Sequence, residues 1–194
     1  MTRKRFAIPL AFAIACALLT VSPVPAADKD KEAAEYRKQL HQDVLNTVAR
    51  FKKVDPGMDR FFKQSVGYVV FARVGKVGFI LGGGHGDGEV FEKGRVIGSA
   101  SITLASVGLQ IGLQEFSEIV FFKDQAALDR FKQNKFEFSA NASAVIVTAG
   151  ASKGADYSNG VAVFTHSTGG AMAEASLGTQ KFSFKGEARP TKKK

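Results

Sequence analysis

Twelve of the 20 glycines in this 194-residue chain lie between Gly67 and Gly112, in a stretch whose other residues favour strands. Nothing else in the sequence constrains the fold as strongly. Glycine weakens regular structure, so this density marks tight turns, sharp bends or backbones in close approach. The glycines follow no Gly-X-Y period, which excludes collagen. A hydrophobic share of 45% excludes a wholly disordered chain. The length fits one domain with a core that needs neither disulfides nor a metal.

Around the glycines, residues 66–71 read as a buried strand, 78–81 as another and 89–91 as a short one. Residues 82–88 connect or bend the last two, and Lys93-Gly94 fits a hairpin turn. Residues 95–107 continue as strand. In 108–122, Leu109, Ile111, Leu113, Ile119 and Phe121 alternate with Gly108, Gln110, Gly112, Gln114, Phe116 and Glu118. Asp124 is suited to cap a short helix that buries Leu128 and Phe131. Strands follow at 135–148, 161–165 and 180–184.

Ahead of the strands, Ala33, Tyr36, Leu40, Val44, Val48 and Phe51 recur at three- and four-residue steps, which predicts an amphipathic helix over 29–53. Asp55-Pro56-Gly57 is a turn, and a short helix over 58–64 presents Phe61 and Phe62. The fold class is therefore α+β. We expect a strongly curved or barrel-like, mostly antiparallel β-sheet, an N-terminal amphipathic helix and short peripheral helices.

Residues 1–27 read as a secretory signal peptide. Arg3, Lys4 and Arg5 precede an apolar run from Phe6 to Leu19, and Val24-Pro25-Ala26-Ala27 offers small residues for cleavage after Ala26 or Ala27. An uncleaved anchor is the alternative. Cys16 follows Ala13-Ile14-Ala15, a weak lipobox, so acylation and tethering at Cys16 stay open. Removing 1–27 takes away three basic residues and no acid, so the net charge falls from +9 to +6. It also removes the lone cysteine. Export to a periplasm or cell surface follows as the expected location. The expected domains are 28–185 as a single unit and 186–194 as a basic, disordered tail.

Enzymatic signatures are missing. Gly82 to Gly88 is followed by Glu89-Val90 rather than Gly-Lys-Ser/Thr, and no register of it gives a dinucleotide fingerprint opening a helix. His85, Asp87 and His166 make a sparse ligand set, so no metal or other cofactor is expected. No nucleophile elbow or zinc-protease motif occurs, and Ser106 and Ser176 read as structural hydroxyls. Gln110 and Gln114 either bond neighbouring backbone or line a polar interior. The expectation is a protein that is not an enzyme.

The strongest chemical signal is charge. Arg50, Lys52, Lys53, Arg60, Lys63, Arg73 and Lys76 face only Asp55 and Asp59 over the same span, with Phe51, Phe61, Phe62 and Tyr68 interleaved. Cations beside aromatic wedges suit an anionic membrane surface, so these seven residues are the expected lipid-binding set. The same pattern also fits a solvated basic face over a phenylalanine core. Nucleic acid is not expected as a partner in an exported protein.

Several stretches carry a resemblance. Ser106-Val107-Gly108-Leu109-Gln110-Ile111-Gly112 is similar to the central signature of the SYLF domain family. Val66 to Phe71, Gly82 to Gly88, Ala127-Leu128-Asp129-Arg130-Phe131, the stretch from Ala142 to Ser152 and that from Gly170 to Thr179 resemble its other blocks in order. Ala171, where leucine is common, and the absence of an acid before Gly178 depart from the pattern. The resemblance spans about Val44 to Phe184, and points to the exported bacterial branch. It implies a lipid-binding module whose eukaryotic relatives bind phosphoinositides through a basic, amphipathic N-terminal part, and some of which bind actin. In an exported protein actin is not the expected partner, and anionic phospholipid is. The alternatives are an envelope structural or protein-interaction module, or a carrier enclosing lipid in a barrel interior. Helix 29–53 either lays its stripe on lipid or packs it on the sheet.

Overall fold

The computed structural model describes residues 26–78, 81–107, 112–134, 137–139, 144–169 and 179–187. Helix α1 (Ala26–Val54) leads through a 3-10 turn (Pro56–Met58) to helix α2 (Asp59–Gln64). Strands β1 (Gly67–Gly78), β2 (Leu81–Glu92), β3 (Arg95–Val107) and β4 (Gly112–Phe122) follow, then helix α3 (Gln125–Lys132). Strands β5 (Glu137–Ser139) and β6 (Ala144–Ile146), a 3-10 turn (Ala151–Gly154) and strands β7 (Val161–Gly169) and β8 (Thr179–Gly186) are the remaining elements among the described residues.

All eight strands form one sheet in the order β5-β8-β3-β2-β1-β4-β7-β6. Every pairing is antiparallel except β6 with β7. The α+β, mostly antiparallel expectation holds, and the sheet is strongly curved. Glu118 on β4 and Gln180 on β8 lie four strand spacings apart, about 19 Å on a flat sheet. Their side chains nevertheless meet at 2.7 Å. The rings of Phe71 on β1 and Phe182 on β8 likewise sit 5.7 Å apart across two intervening strands.

The barrel-like part of the expectation is corrected: the sheet does not close, and β5 and β6 remain its two edges. Their directions explain why. Following the pairings around the sheet, β5 and β6 run the same way, with only residues 140–143 between them. Parallel neighbours need a crossover of about a dozen residues or more, so these two cannot pair side by side. Of the strand expected over 135–148, Glu137–Ser139 and Ala144–Ile146 are these two edge strands, and residues 135–136 and 140–143 lie outside the described residues.

Curvature explains the glycines. Gly82 to Gly88 do not connect two strands; they lie within β2. On its inner face, a Cβ at Gly84 would come 2.8 Å from Leu104, and one at Gly88 2.4 Å from the Val70 carbonyl oxygen and 2.7 Å from Phe71. Side chains there would stop the sheet from rolling. Lys93 and Gly94 both take positive φ (53° and 75°), as a tight two-residue hairpin turn requires.

The inner face of the curl packs Val69, Phe71, Val74, Ile102, Phe116, Val120, Phe122 and Phe182, and α3 plugs it with Ala127, Leu128 and Phe131. Asp124 caps α3 as expected, accepting from the Ala127 amide at 2.8 Å. The outer face carries α1. Val44 and Phe51 are fully buried and Leu40 and Val48 partly so, so the stripe packs on the sheet from Leu40 onward, whereas Ala33 and Tyr36 are exposed. Helix α1 crosses the strands: Tyr36 and His41 bond Asp87 and Glu89 of β2, Arg50 bonds Ser117 of β4, and Phe51 meets His166 of β7.

Candidate functional site

The chain turns back beyond the end of α1, and a buried carboxylate fixes that turn. Asp55 accepts from the Gly57 amide at 3.0 Å and from the Ser152 amide at 2.7 Å. Burial raises its carboxyl, but the bonds from Ser152, Gly57 and Gly150 outweigh that and hold it below the usual carboxylate value. The loop at 150–157 is thereby pinned against α2. Arg60 adds two ties, its Nη2 donating to the Ser152 carbonyl at 2.6 Å and the Ala155 carbonyl at 2.5 Å. Phe61 anchors α2 from below, with its ring against Phe121, Tyr157 and Phe164.

This arrangement gathers positive charge at one end of the helical layer. Lys52 pairs with Asp59 at 2.9 Å and lies over the Phe62 ring at 4.5 Å. Lys52 and the nearby Lys63 charge hold Asp59 below its usual value. Lys53 and Lys63 are exposed. Lys123, just past β4, joins them because Gly67 pairs with Phe122, so the end of β4 lies beside the strand that follows α2. Arg60, Phe61, Gln64, Lys123, Asp156 and Tyr157 line a cleft of about 350 Å³.

The other three cations expected in this set lie elsewhere. Arg50 turns onto the sheet, donating to Ser117 Oγ at 2.7 Å, and Ser117 in turn donates to the Ala72 carbonyl. Arg73 is exposed on the second half of β1, with Glu115 at 3.5 Å, about 20 Å along the strand from Gly67. Lys76 is only 2% exposed, and its Nζ has no hydrogen-bond partner among the described residues. A register shift between Phe71 and Val74 inserts one residue and exchanges the faces of β1. Lys76 therefore points with Val74 into the interior, where burial lowers its ammonium pKa. It is not a surface cation.

The remaining sequence candidates do not assemble. His85 approaches Asp87 at 3.5 Å, whereas His166 stands on β7, with β1 and β4 between. Among the described residues no group of three or more His, Cys, Asp or Glu is arranged to hold a metal. Gln110, Ser176 and the side chains of Ser106 and Gln114 fall outside the described residues, as do residues 1–25 and 188–194. Sequence reasoning missed Gln64, Lys123 and Tyr157; only the pairing of β1 with β4 and the pinned 150–157 loop bring them to Arg60.

Residues 103–189 match the family model Ysc84, described as Las17-binding protein actin regulator. The match takes in Lys123, Asp156 and Tyr157 but not α1 or α2, the second of which supplies Arg60 and Gln64. No curated protein matches the chain.

Proposed function

The chain carries a domain of the Ysc84, or SYLF, family over residues 103–189, and from that premise we propose that it binds anionic phospholipid at a membrane surface and catalyses no reaction. The family is associated with lipid binding and actin regulation. In this reading the protein is exported through residues 1–27 to a bacterial envelope, where phospholipid is the available partner and actin is not. Acylation at Cys16 would add a tether.

The observation that carries the reading is the convergence of Lys52, Lys53, Arg60, Lys63 and Lys123 at one end of the helical layer. They come from α1, α2 and the connection after β4, and only Lys52 among them is paired with a carboxylate among the described residues. Cations near an anionic surface contribute about 1 kcal/mol each. The interior of the curl is filled by Phe71, Phe116, Phe122, Phe131 and Phe182, which favours the outer surface over an enclosed lipid. Co-sedimentation of the mature protein with phosphatidylglycerol and with phosphatidylcholine vesicles tests the reading. Recovery with the anionic vesicles alone is expected; equal recovery with both would overturn it.

A further inference from the structure

We propose that the cleft between α2, the 155–157 loop and the end of β4 is a seat for one phosphodiester headgroup whose alcohol carries a hydroxyl, as glycerol does. The inference rests on the membrane-surface reading and gives it a defined ligand site.

Arg60 is held ready for an anion. Both of its carbonyl bonds use Nη2, and its guanidinium lies over the Phe61 ring at 4.6 Å. That leaves Nε and Nη1 uncommitted among the described residues, in a fixed orientation suited to phosphate oxygens. Lys123 lines the same cleft, its Nζ 5.8 Å from the centroid of the Tyr157 ring and without a carboxylate partner among the described residues. Gln64 adds an exposed amide to the same cleft. The Tyr157 hydroxyl is buried with no hydrogen-bond partner among the described residues. Burial, opposed by Arg60 and reinforced by Asp156, pushes it up to about 12, so it remains a donor.

Asp156 sets the preference. Its Oδ1 accepts from the Tyr157 amide at 2.7 Å, and Oδ2 is uncommitted among the described residues. A carboxylate beside the two cations disfavours a phosphate dianion and offers an acceptor to a hydroxyl next to a monoanionic phosphodiester. About 350 Å³ is near the lower end of ligand pockets. It admits a phosphate and a three-carbon alcohol but not an acyl chain, so the chains stay outside, in the membrane.

The test uses the mature protein with glycerophosphoglycerol, inorganic phosphate and phosphatidylglycerol vesicles, followed by amide shifts in NMR titrations and by co-sedimentation. Glycerophosphoglycerol should shift amides around Arg60, Gln64, Lys123 and Tyr157, and Lys123→Ala should weaken its affinity at least fivefold. Lys53→Ala, outside the cleft, should leave that affinity unchanged while lowering vesicle recovery. Inorganic phosphate binding as tightly as the diester would overturn the headgroup assignment. So would an absence of cleft shifts, or a Lys123→Ala effect on vesicles no larger than that of Lys53→Ala; if wild type still sediments selectively with anionic vesicles, the surface reading stands without the site. Cleft binding of the diester without vesicle binding would keep the site and remove the surface reading.

Discussion

Glu118 is a carboxyl group with no access to solvent, on the inner face of β4. Burial pushes it up to about 8, and the bond from Gln180 only partly opposes the rise. In the unfolded chain the same group titrates near 4.5. Between those values the unfolded state releases its proton and the folded state keeps it, so this residue makes stability fall as pH rises from about 4.5 to about 8. The slope is at most about 1.4 kcal/mol per pH unit. Glu118→Gln keeps the shape and removes the titration. Its urea midpoint relative to wild type should climb steadily from pH 5 to pH 8; a constant difference would refute the assignment. Lys76 presents the complementary case, a buried amine without a partner among the described residues. Lys76→Met should be at least as stable as wild type, by up to about 1–3 kcal/mol in urea unfolding. It should leave vesicle binding intact, because the ammonium does not reach the surface.

At the scale of elements, β2 decides the shape of the sheet. Its inner positions bear glycine where β1 and β3 press across it, whereas Gly83 on the outer face has nothing closer than 3.9 Å to an added Cβ. Gly88→Ala should cost about 1–3 kcal/mol, because the methyl group would overlap the Val70 carbonyl and the Phe71 ring. Gly83→Ala should be neutral or slightly stabilising, since it restricts only the unfolded chain. Thermal unfolding of the pair checks this directly: equal losses would show that the glycines serve flexibility rather than close approach. Helix α1 is a clamp in the same architecture. By crossing four strands it buries its stripe from Leu40 to Phe51 and leaves its basic C-terminal turn, Lys52 and Lys53, at the edge of the layer.

For the whole molecule, binding should behave as electrostatics at a surface. Replacing Lys53 and Lys63 together with alanine should weaken association with phosphatidylglycerol vesicles by about 2 kcal/mol, roughly thirtyfold. Both side chains are exposed, so unfolding midpoints should barely move. Wild-type binding should decline as salt rises past about 0.15 M, where the screening length falls to about 8 Å. Affinity that persists at high salt would indicate insertion of apolar groups as the main contribution.

Much of this was legible locally. The α1 stripe, the Asp124 cap, the Lys93-Gly94 turn and the third strand over 95–107 follow from neighbouring residues alone, because helix period, capping and turn chemistry act within a few positions. The identity of the cations was legible too. Their availability was not. One inserted residue after Phe71 sent Lys76 inward, the crossing angle of α1 gave Arg50 a partner on β4, and the pairing of Gly67 with Phe122 carried Lys123 to the cleft. The sequence alone set which charges and glycines this protein has, since composition and local periodicity are properties of the chain. Which charges reach solvent and which meet one another was decided only by strand register and sheet curvature, because those depend on pairings between segments distant along the chain.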